Sequence, residues 1–553
     1  MSISLRIRAA FLRFLAPYLS SGALAAAVVL AASGASLVPG ALPAASAQTA
    51  PGSQQSQDSP VFKAKKPTSL PPLVRPADPV YETLQTFLLA RRAAAGDAPA
   101  QHELGIRYLL GMGVQADTAL AAHWIGKAAE GSVVPARFNL AILQYNGWGM
   151  KWDPFGAFKS LTWCSERKME EADFFLGLFY VEGYVVPVDL PRALELIGRA
   201  ADRGFKPAIE VLPKLKEYMQ QVAAAANPDS AAAASATASA SGTASSATAL
   251  SPVFLEFDPD TTSAPSLGSI LQSALEGGNT SLKEALGLTK LTDVNAKLDS
   301  SAEARVRAAA DAGSPEALTF LGRAAELGRG TERDLVRAAA FYLRATRMES
   351  PQAPRHLFGL LGLPEFVTAL KEKAGANDPE ALYAWGTAAG LGFDGQLAMA
   401  GAVVTPMQAK EFLSTATKPG YAPALIELGL GELAGRWGPA RPSEAYKLWE
   451  RAAAGGNMEA MVRLAILDVR GADTTLFAAA VGILRQGIDR GSVLADVGLG
   501  FCYETGRGVP VMPAEAARLY RDAARRGSSD AQRALHRLHD RIRPGDPEFV
   551  IPD

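Results

Sequence analysis

Alanine recurs every 36 residues over much of this chain. One series consists of Ala100, Ala136, Ala172 and Ala208. A second series consists of Ala424, Ala460, Ala495 and Ala531, at intervals of 36, 35 and 36 residues. A fixed period of about 20–50 residues is typical of a solenoid, in which stacked repeats present a long surface. The period therefore predicts a repeat array that binds other molecules rather than a catalyst.

Within a period, the residues predict two helices separated by glycine turns. Helix A is predicted over about 99–110 and ends at Gly111, since glycine readily takes the left-handed conformation that closes a helix. Helix B is predicted over about 117–130, with Asp117 as its N-cap. Trp124 is expected to point into the helix pair. The predicted fold class is all-α, an α/α superhelical solenoid in two arrays.

The repeated pattern can be written A-x-x-x-L-G-x-x-Y-x-x-G-x-G-V, an acidic residue, A-x-x-x-x-W and A-A-x-x-G. This pattern resembles the Sel-like repeat, a variant of the tetratricopeptide helix pair. Units that match it strongly start near Asp97, Val133, Met169, Tyr421 and Ser492. Units with a weaker match start at Ser314 and Asn457. The unit between Ala381 and Ala424 spans 43 residues, which indicates an insertion near 396–405.

The resemblance implies right-handed stacking of helix hairpins around a concave groove lined mainly by A helices. It also implies an adaptor or regulatory role, or a role in an envelope scaffold. The period itself predicts only an extended surface of stacked repeats and not the role of that surface.

Composition divides the chain into six predicted segments. They are a signal peptide (1–47), a disordered Pro/Ser/Gln-rich spacer (48–78), a first repeat array (79–222), an Ala/Ser/Thr-rich low-complexity linker (223–266), a second repeat array (267–540) and a C-terminal tail (541–553).

The N-terminus has the pattern of an export signal. Three arginines precede the apolar run 23–32, and Ala45-Ser46-Ala47 provides a cleavage site before Gln48. We therefore expect a periplasmic or secreted protein with no stable membrane span after cleavage. The alternative is an uncleaved N-terminal membrane anchor, although the apolar run is shorter than the roughly 20 residues needed to span a bilayer.

Net charge argues against a nucleic-acid partner. The full chain has 55 basic and 56 acidic residues. Residues 1–47 hold three arginines and no acidic residue, so cleavage leaves 52 basic against 56 acidic side chains, a net charge of −4. A nucleic-acid binder would show a basic excess.

The sequence offers few groups for chemistry, so we expect no catalytic, cofactor-binding or metal-binding residues. Neither a G-x-S-x-G nor an H-E-x-x-H nor a Walker sequence occurs. His536 and His539 lie three residues apart, but no third metal ligand accompanies them at a defined spacing. Cys164 and Cys502 are flanked by aromatic residues and are expected to be buried apolar side chains.

Two clusters leave alternatives open. The first is aromatic and lies at turns: Tyr145, Trp148, Trp152, Phe155 and Tyr184. These rings either pack between adjacent units or form a patch for a partner. The second cluster comprises Arg518, Arg521, Arg525, Arg526, Arg533, Arg537, Arg541 and Arg543. It either pairs with neighbouring acidic residues or binds an acidic partner or an anionic envelope polymer.

The favoured hypothesis is an exported scaffold or regulatory adaptor that binds protein partners and catalyses nothing itself. One alternative is an enzyme of cell-envelope or polysaccharide turnover with its site in the solenoid groove. Another is a structural envelope protein without a specific partner.

Overall fold

The computed structural model describes residues 82–226 and 300–551. These ranges consist of helices joined by turns and contain no strand. The predicted signal peptide and spacer, most of the predicted linker and residues 267–299 of the second array lie outside them. The described residues form two compact units. Unit 1 contains 82–176 and 198–210, whereas unit 2 contains 177–197, 211–226 and 300–551.

Eight helices lie in the first described range. They are α1 (Glu82–Ala94), α2 (Ala98–Leu110), α3 (Thr118–Glu130), α4 (Val134–Asn146), α5 (Pro154–Glu166), α6 (Glu170–Glu182), α7 (Leu190–Asp202) and α8 (Lys206–Ala226). Helix α8 extends beyond residue 222, where the first array was expected to end.

Fifteen α-helices lie in the second described range. They are α9 (Ser300–Asp311), α10 (Pro315–Leu327), α11 (Leu335–Arg347), α12 (Ala353–Leu361), α13 (Pro364–Gly375), α14 (Pro379–Gly390), α15 (Asp394–Met399), α16 (Pro406–Ala416), α17 (Ala422–Leu433), α18 (Pro442–Ala454), α19 (Met458–Arg470), α20 (Phe477–Asp489), α21 (Val493–Thr505), α22 (Pro513–Arg525) and α23 (Ser529–Asp540). Short 3-10 turns precede α20 and follow α23, the latter over Pro547–Phe549.

The predicted helix bounds and caps of the first pair are confirmed. The side chain of Asp117 accepts hydrogen bonds from the backbone N–H groups of Ala119 and Leu120, so it caps α3. Gly111 ends α2 in the left-handed conformation, with φ of 73°. The turns therefore follow from local sequence, as expected.

The prediction that Trp124 points into the helix pair is confirmed, since its ring packs against the core of Ala93, Ala100 and Leu104. Ile125 is fully buried, and a Cβ placed on Gly105 would lie 2.5 Å from its Cγ1 atom. Trp124 is half-buried, with the Lys127 ammonium 5.1 Å from its ring centroid. Both Trp124 and Ile125 therefore contribute to the packing of this helix pair. The left-handed residue after α3 is Ser132, at φ of 61°, and not Gly131.

The core of a regular repeat depends on a glycine in helix A that faces a large side chain in helix B. An added Cβ on that glycine would lie 2.3–2.6 Å from the large side chain. The pairs are Gly105 with Ile125, Gly177 with Ile197, Gly322 with Tyr342, Gly429 with Trp449, and Gly500 with Tyr520. The missing Cβ lets the side chain pack directly on the backbone of helix A.

Two consecutive units depart from the 36-residue period. Helix α12 has nine residues, and only Gly362 and Leu363 separate it from α13. In the next unit, residues 391–405 separate α14 from α16 and include α15. Helix α15 packs against α12. The insertion therefore packs beside the shortened unit, and Leu397 and Ala402 are the buried side chains that anchor it.

Candidate interaction surface

The aromatic residues of the second unit are largely covered in this structure. Trp148, Trp152 and Phe155 are buried, and Tyr145 is half-buried. The indole N–H of Trp152 donates a hydrogen bond to the backbone oxygen of Tyr145 at 2.9 Å. Burial favours the packing alternative for these rings. Their contact with a partner stays a prediction.

Tyr184 lies in unit 2, on the turn after α6. Its ring centroid is 4.8 Å from that of His536 and 5.5 Å from that of His539. The guanidinium of Arg543 donates hydrogen bonds to the backbone oxygens of Tyr184 at 2.9 Å and Val185 at 3.1 Å. This turn therefore packs on the last helix, and Tyr184 is buried by that contact.

The contact with Tyr184 helps to bury the two C-terminal histidines, His536 and His539. Burial lowers the pKa of His536 and lowers that of His539 to about 3. The Nδ1 atom of His539 lies 2.8 Å from the backbone oxygen of Leu535. Within 82–226 and 300–551, no three His, Cys, Asp or Glu side chains are grouped as a metal site would require. The pair acts in packing here.

Each C-terminal arginine contacts an acidic side chain in the folded protein. The pairs are Arg518 with Glu515 and Asp522, Arg521 with Glu182, Arg525 with Asp522, Arg526 with Glu316 and Asp496, Arg533 with Asp530, Arg537 and Arg541 with Glu504, and Arg543 with Asp540. Although burial opposes ionisation of Glu504, hydrogen bonds from Arg537 and Tyr520 hold its pKa below the usual value. This pairing favours the ordinary-surface alternative over a free basic patch.

Both cysteines are buried free thiols, as predicted. Burial raises the pKa of Cys164 to about 12 and that of Cys502 to about 11. Because the thiolate is the nucleophile, neither side chain is suited to nucleophilic chemistry.

The insertion exposes large apolar side chains instead. Met399 is 82% exposed, Val403 72% and Met407 66%. Phe358, on the neighbouring helix α12, is 55% exposed. We call these four residues the insertion surface.

The backbone beneath this surface is held by specific hydrogen bonds. The N–H of Ala402 donates to the backbone oxygen of Leu397 at 2.7 Å, with Gly401 left-handed at φ of 78°. The Trp385 indole N–H donates to the backbone oxygen of Ala402 at 3.4 Å. A reciprocal capping box between Thr405 and Gln408 starts α16. These contacts present the exposed side chains on a folded platform.

Charge is nearly absent from the insertion. Between residues 391 and 409 the single charged residue is Asp394. The exposed Lys371 lies at the edge, with its ammonium 3.9 Å from a Cβ placed on Gly401. Depletion of charge at the centre, with polar groups at the rim, is the composition of a protein–protein contact.

Sequence reasoning located the insertion but did not anticipate its exposed apolar side chains. The apolar run 397–404, which continues through the insertion without helical periodicity, is the signal that could have indicated them. None of the described helices combines the length and apolarity needed to cross a membrane.

Comparison with known proteins confirms the repeat assignment. The family model described as "Sel1 repeat" matches residues 98–133, 134–159, 170–205, 315–350, 422–457 and 493–528. The chain therefore carries six Sel1 repeats. The matched segments skip 351–421, where the two irregular units lie. They also skip the unit predicted from Asn457, although α19 and α20 form a helix pair there.

The chain is similar to a curated yeast protein and to solved structures of repeat proteins. The relative, "Activator of C kinase protein 1" of Saccharomyces cerevisiae, is 30% identical over 116 residues, which are 19% of this chain and 18% of that protein. The chain thus spans less than a fifth of the length of that relative.

The first structure is c5321, a protective antigen of uropathogenic Escherichia coli strains that displays an SLR fold. It has 20% identity, a TM-score of 0.29 and 81% coverage of both chains. The second is a Sel1 repeat protein from Oxalobacter formigenes, with 20% identity, a TM-score of 0.20 and coverage of 86% of this chain and 98% of that chain. At these TM-scores neither superposition supports an argument about the arrangement of this chain.

Proposed function

We propose that this chain is an exported scaffold or regulatory adaptor that binds a protein partner and catalyses no reaction. The observation that carries this proposal is the insertion surface, where four large apolar side chains lie exposed on an ordered platform. A protein partner with an apolar face fits this surface because the insertion holds almost no charge.

Two methionines suit this role physically. Methionine has an unbranched, flexible side chain that adapts to the shape of an apolar partner. Met399 and Met407 flank the ordered turn 400–405, so the partner meets adaptable side chains on a fixed backbone. Such a surface binds without a preformed cavity.

The comparisons support a role in protein contact. Sel1 repeats generally mediate protein binding. The yeast relative is named as an activator of a kinase, which is consistent with a regulatory adaptor, although the similarity covers 18% of that protein. The pattern of residues 1–47 supports export to the periplasm. Mass spectrometry of the N-terminus from a periplasmic extract tests export and cleavage, since cleavage gives a chain that begins at Gln48.

Site-specific crosslinking in cells tests the partner surface. A photoreactive phenylalanine analogue would replace Met399 or Val403 in the full chain. Val511 is the matched control, because it is an apolar residue 60% exposed on the turn of a regular repeat. We expect one protein to crosslink at positions 399 and 403 and not at 511.

A second set of variants separates binding from folding. M399S, V403T and M407Q together remove three of the four apolar side chains of the insertion surface, and each replaced side chain is exposed, so helicity should not change. Loss of co-purification of the crosslinked protein supports the proposal. Equal crosslinking at 399, 403 and 511, or unchanged co-purification by the triple variant, contradicts it.

A further inference from the structure

In unit 2, a repeat near the start of the second described range touches the last repeats of the chain. The loop before α12 meets the loop before α23 so closely that a Cβ on Gly527 would lie 2.3 Å from the backbone oxygen of Glu349. Gly527 has φ of 103°, which glycine adopts readily. The loop before α10 likewise meets Gly491, whose added Cβ would lie 3.8 Å from Cβ of Ser314. Unit 2 therefore closes on itself.

Hydrogen bonds join the same loops. The backbone N–H of Ser529 donates to Glu349 Oε2 at 2.8 Å, across 180 residues of sequence. That separation is five periods of 36 residues. The hydroxyl of Ser529 also donates to the Glu349 carboxylate. The helix N-terminus of one repeat is thus tied to a loop five repeats earlier.

Arg526 is the charged centre of this closure. Its Nε and Nη2 atoms donate to Glu316 Oε1 and Oε2, both at 2.9 Å. Its Nη1 donates to Asp496 Oδ2 at 3.3 Å, and Nη2 also donates to the backbone oxygen of Gly491 at 2.6 Å and to Ser314 Oγ at 3.5 Å. The bidentate contact with Glu316 bridges residues 210 positions apart.

A buried carboxylate, Asp496, and a partly buried one, Glu316, share this one guanidinium. The side chain of Asp496 is 9% exposed and that of Glu316 16%. Burial raises the pKa of Asp496 to about 7, since Arg526 and Arg518 offset only part of the burial and of the repulsion from Asp522 and Glu316. Burial also opposes ionisation of Glu316, but Arg526 holds its pKa below the usual value.

The charged groups that act on Asp496 come from two elements beside it. Helix α10 provides Glu316, and α22 with its following loop provides Arg518, Asp522 and Arg526. With Asp496 protonated, Arg526 and Glu316 form a neutral pair at the contact. With Asp496 ionised, the contact holds two negative charges against the single shared guanidinium.

We propose that Arg526, Glu316 and Asp496 form a proton-sensitive latch that closes unit 2 more tightly in mild acid than in alkaline solution. The direction of the pH dependence follows from the linkage between proton binding and closure. The closed form binds the Asp496 proton more tightly than the open form does, so closure is favoured most below the ordinary carboxyl pKa of about 4. That advantage decreases as pH rises through about 7. Each pH unit within this window changes the ratio of closed to open molecules by up to about tenfold.

Hydrogen–deuterium exchange of the full chain at pH 5.5 and pH 8.0 tests the latch. Peptides covering residues 312–318 and 526–532 report on the closure, after correction for the intrinsic pH dependence of amide exchange. We expect protection in both peptides to fall by at least about tenfold between these pH values, with no comparable change in residues 98–110.

Three variants identify the titrating group. D496N has nearly the same shape and cannot ionise, so its protection should be equal at the two pH values. D530N is the matched control, since Asp530 pairs with Arg533 at the exposed surface of the same region, and it should behave as the unaltered chain. R526Q should lose protection at both pH values while retaining overall helicity.

Protection of the unaltered chain that is the same at the two pH values would overturn the proposal. A D496N variant that keeps the full pH dependence would overturn it equally, because the proton would then bind elsewhere. Because D496N is close to isosteric, these outcomes do not depend on how well R526Q folds.

Discussion

The regular repeat at 422–457 and the insertion before it differ in how far they expose particular large apolar side chains. Trp449 is 2% exposed, and its indole N–H donates to the backbone oxygen of Ile426 at 3.2 Å. Met399 and Val403, in the insertion, are 82% and 72% exposed. The two regions adjoin in sequence and share the helix-pair architecture. Residues added outside the fixed spacing thus leave Met399 and Val403 exposed, while Leu397 and Ala402 anchor the insertion.

The helix spacing shows why. In the regular repeat, Gly429 meets Trp449, 20 residues later. In the irregular unit, Gly386 meets Leu413, 27 residues later, because the insertion lies between the two helices. The helix pair still packs around its glycine. The extra residues are left outside that contact, where they are available to another molecule.

Removal of the Trp449 ring from the regular repeat should have the largest effect on stability. W449A is expected to lower the free energy of unfolding by about 3–5 kcal/mol, since it leaves a cavity against Gly429. Urea denaturation of W449A and M399A, followed by circular dichroism, measures the contrast. Losses of similar size in the two variants would break the comparison.

Addition of one methyl group at the helix contact should have the second-largest effect on stability. G105A is expected to destabilise unit 1 by about 1–3 kcal/mol, because the new Cβ would lie 2.5 Å from Ile125. G126A is the matched control on the facing helix α3, where nothing lies within 4 Å, and it should stabilise by about 0.5–1 kcal/mol. Thermal unfolding of both variants checks the opposite signs.

The residue that ends α3 offers a smaller test. Ser132 has φ of 61°, where a Cβ is unfavourable, so S132G should stabilise by up to about 1 kcal/mol. The reverse change, G204S, should destabilise by a similar amount, since Gly204 has φ of 89° and open space around it. If G204S unfolded at the same urea concentration as the unaltered chain, backbone conformation would not explain these positions.

The smallest expected change in stability lies in the insertion. M407Q should alter the free energy of unfolding by less than about 0.5 kcal/mol, because the side chain is 66% exposed. The same variant should weaken capture of the partner. A loss of stability above about 2 kcal/mol would show that Met407 serves packing and would remove the contrast with Trp449.

Much of the architecture could be predicted from local sequence. The alanine period, Asp117 as a cap and Gly111 as a left-handed end depend on residues within one or two helical turns, so the sequence predicted their positions correctly. The inward direction of Trp124 was also predicted correctly, whereas the full burial of the adjacent Ile125 against Gly105 was not anticipated.

The sequence by itself determined that the chain repeats a helix pair, where most of the helices begin and end, and where the repeat is interrupted. Only the tertiary structure decided which side chains the interruption exposes and which arginine meets which carboxylate. Arg526 meets Glu316 across 210 residues because the stacking of the four intervening helix pairs brings them together. The contact between Arg526 and Glu316 depends on the rotations of all the repeats between them, and these cannot be inferred from any local sequence pattern.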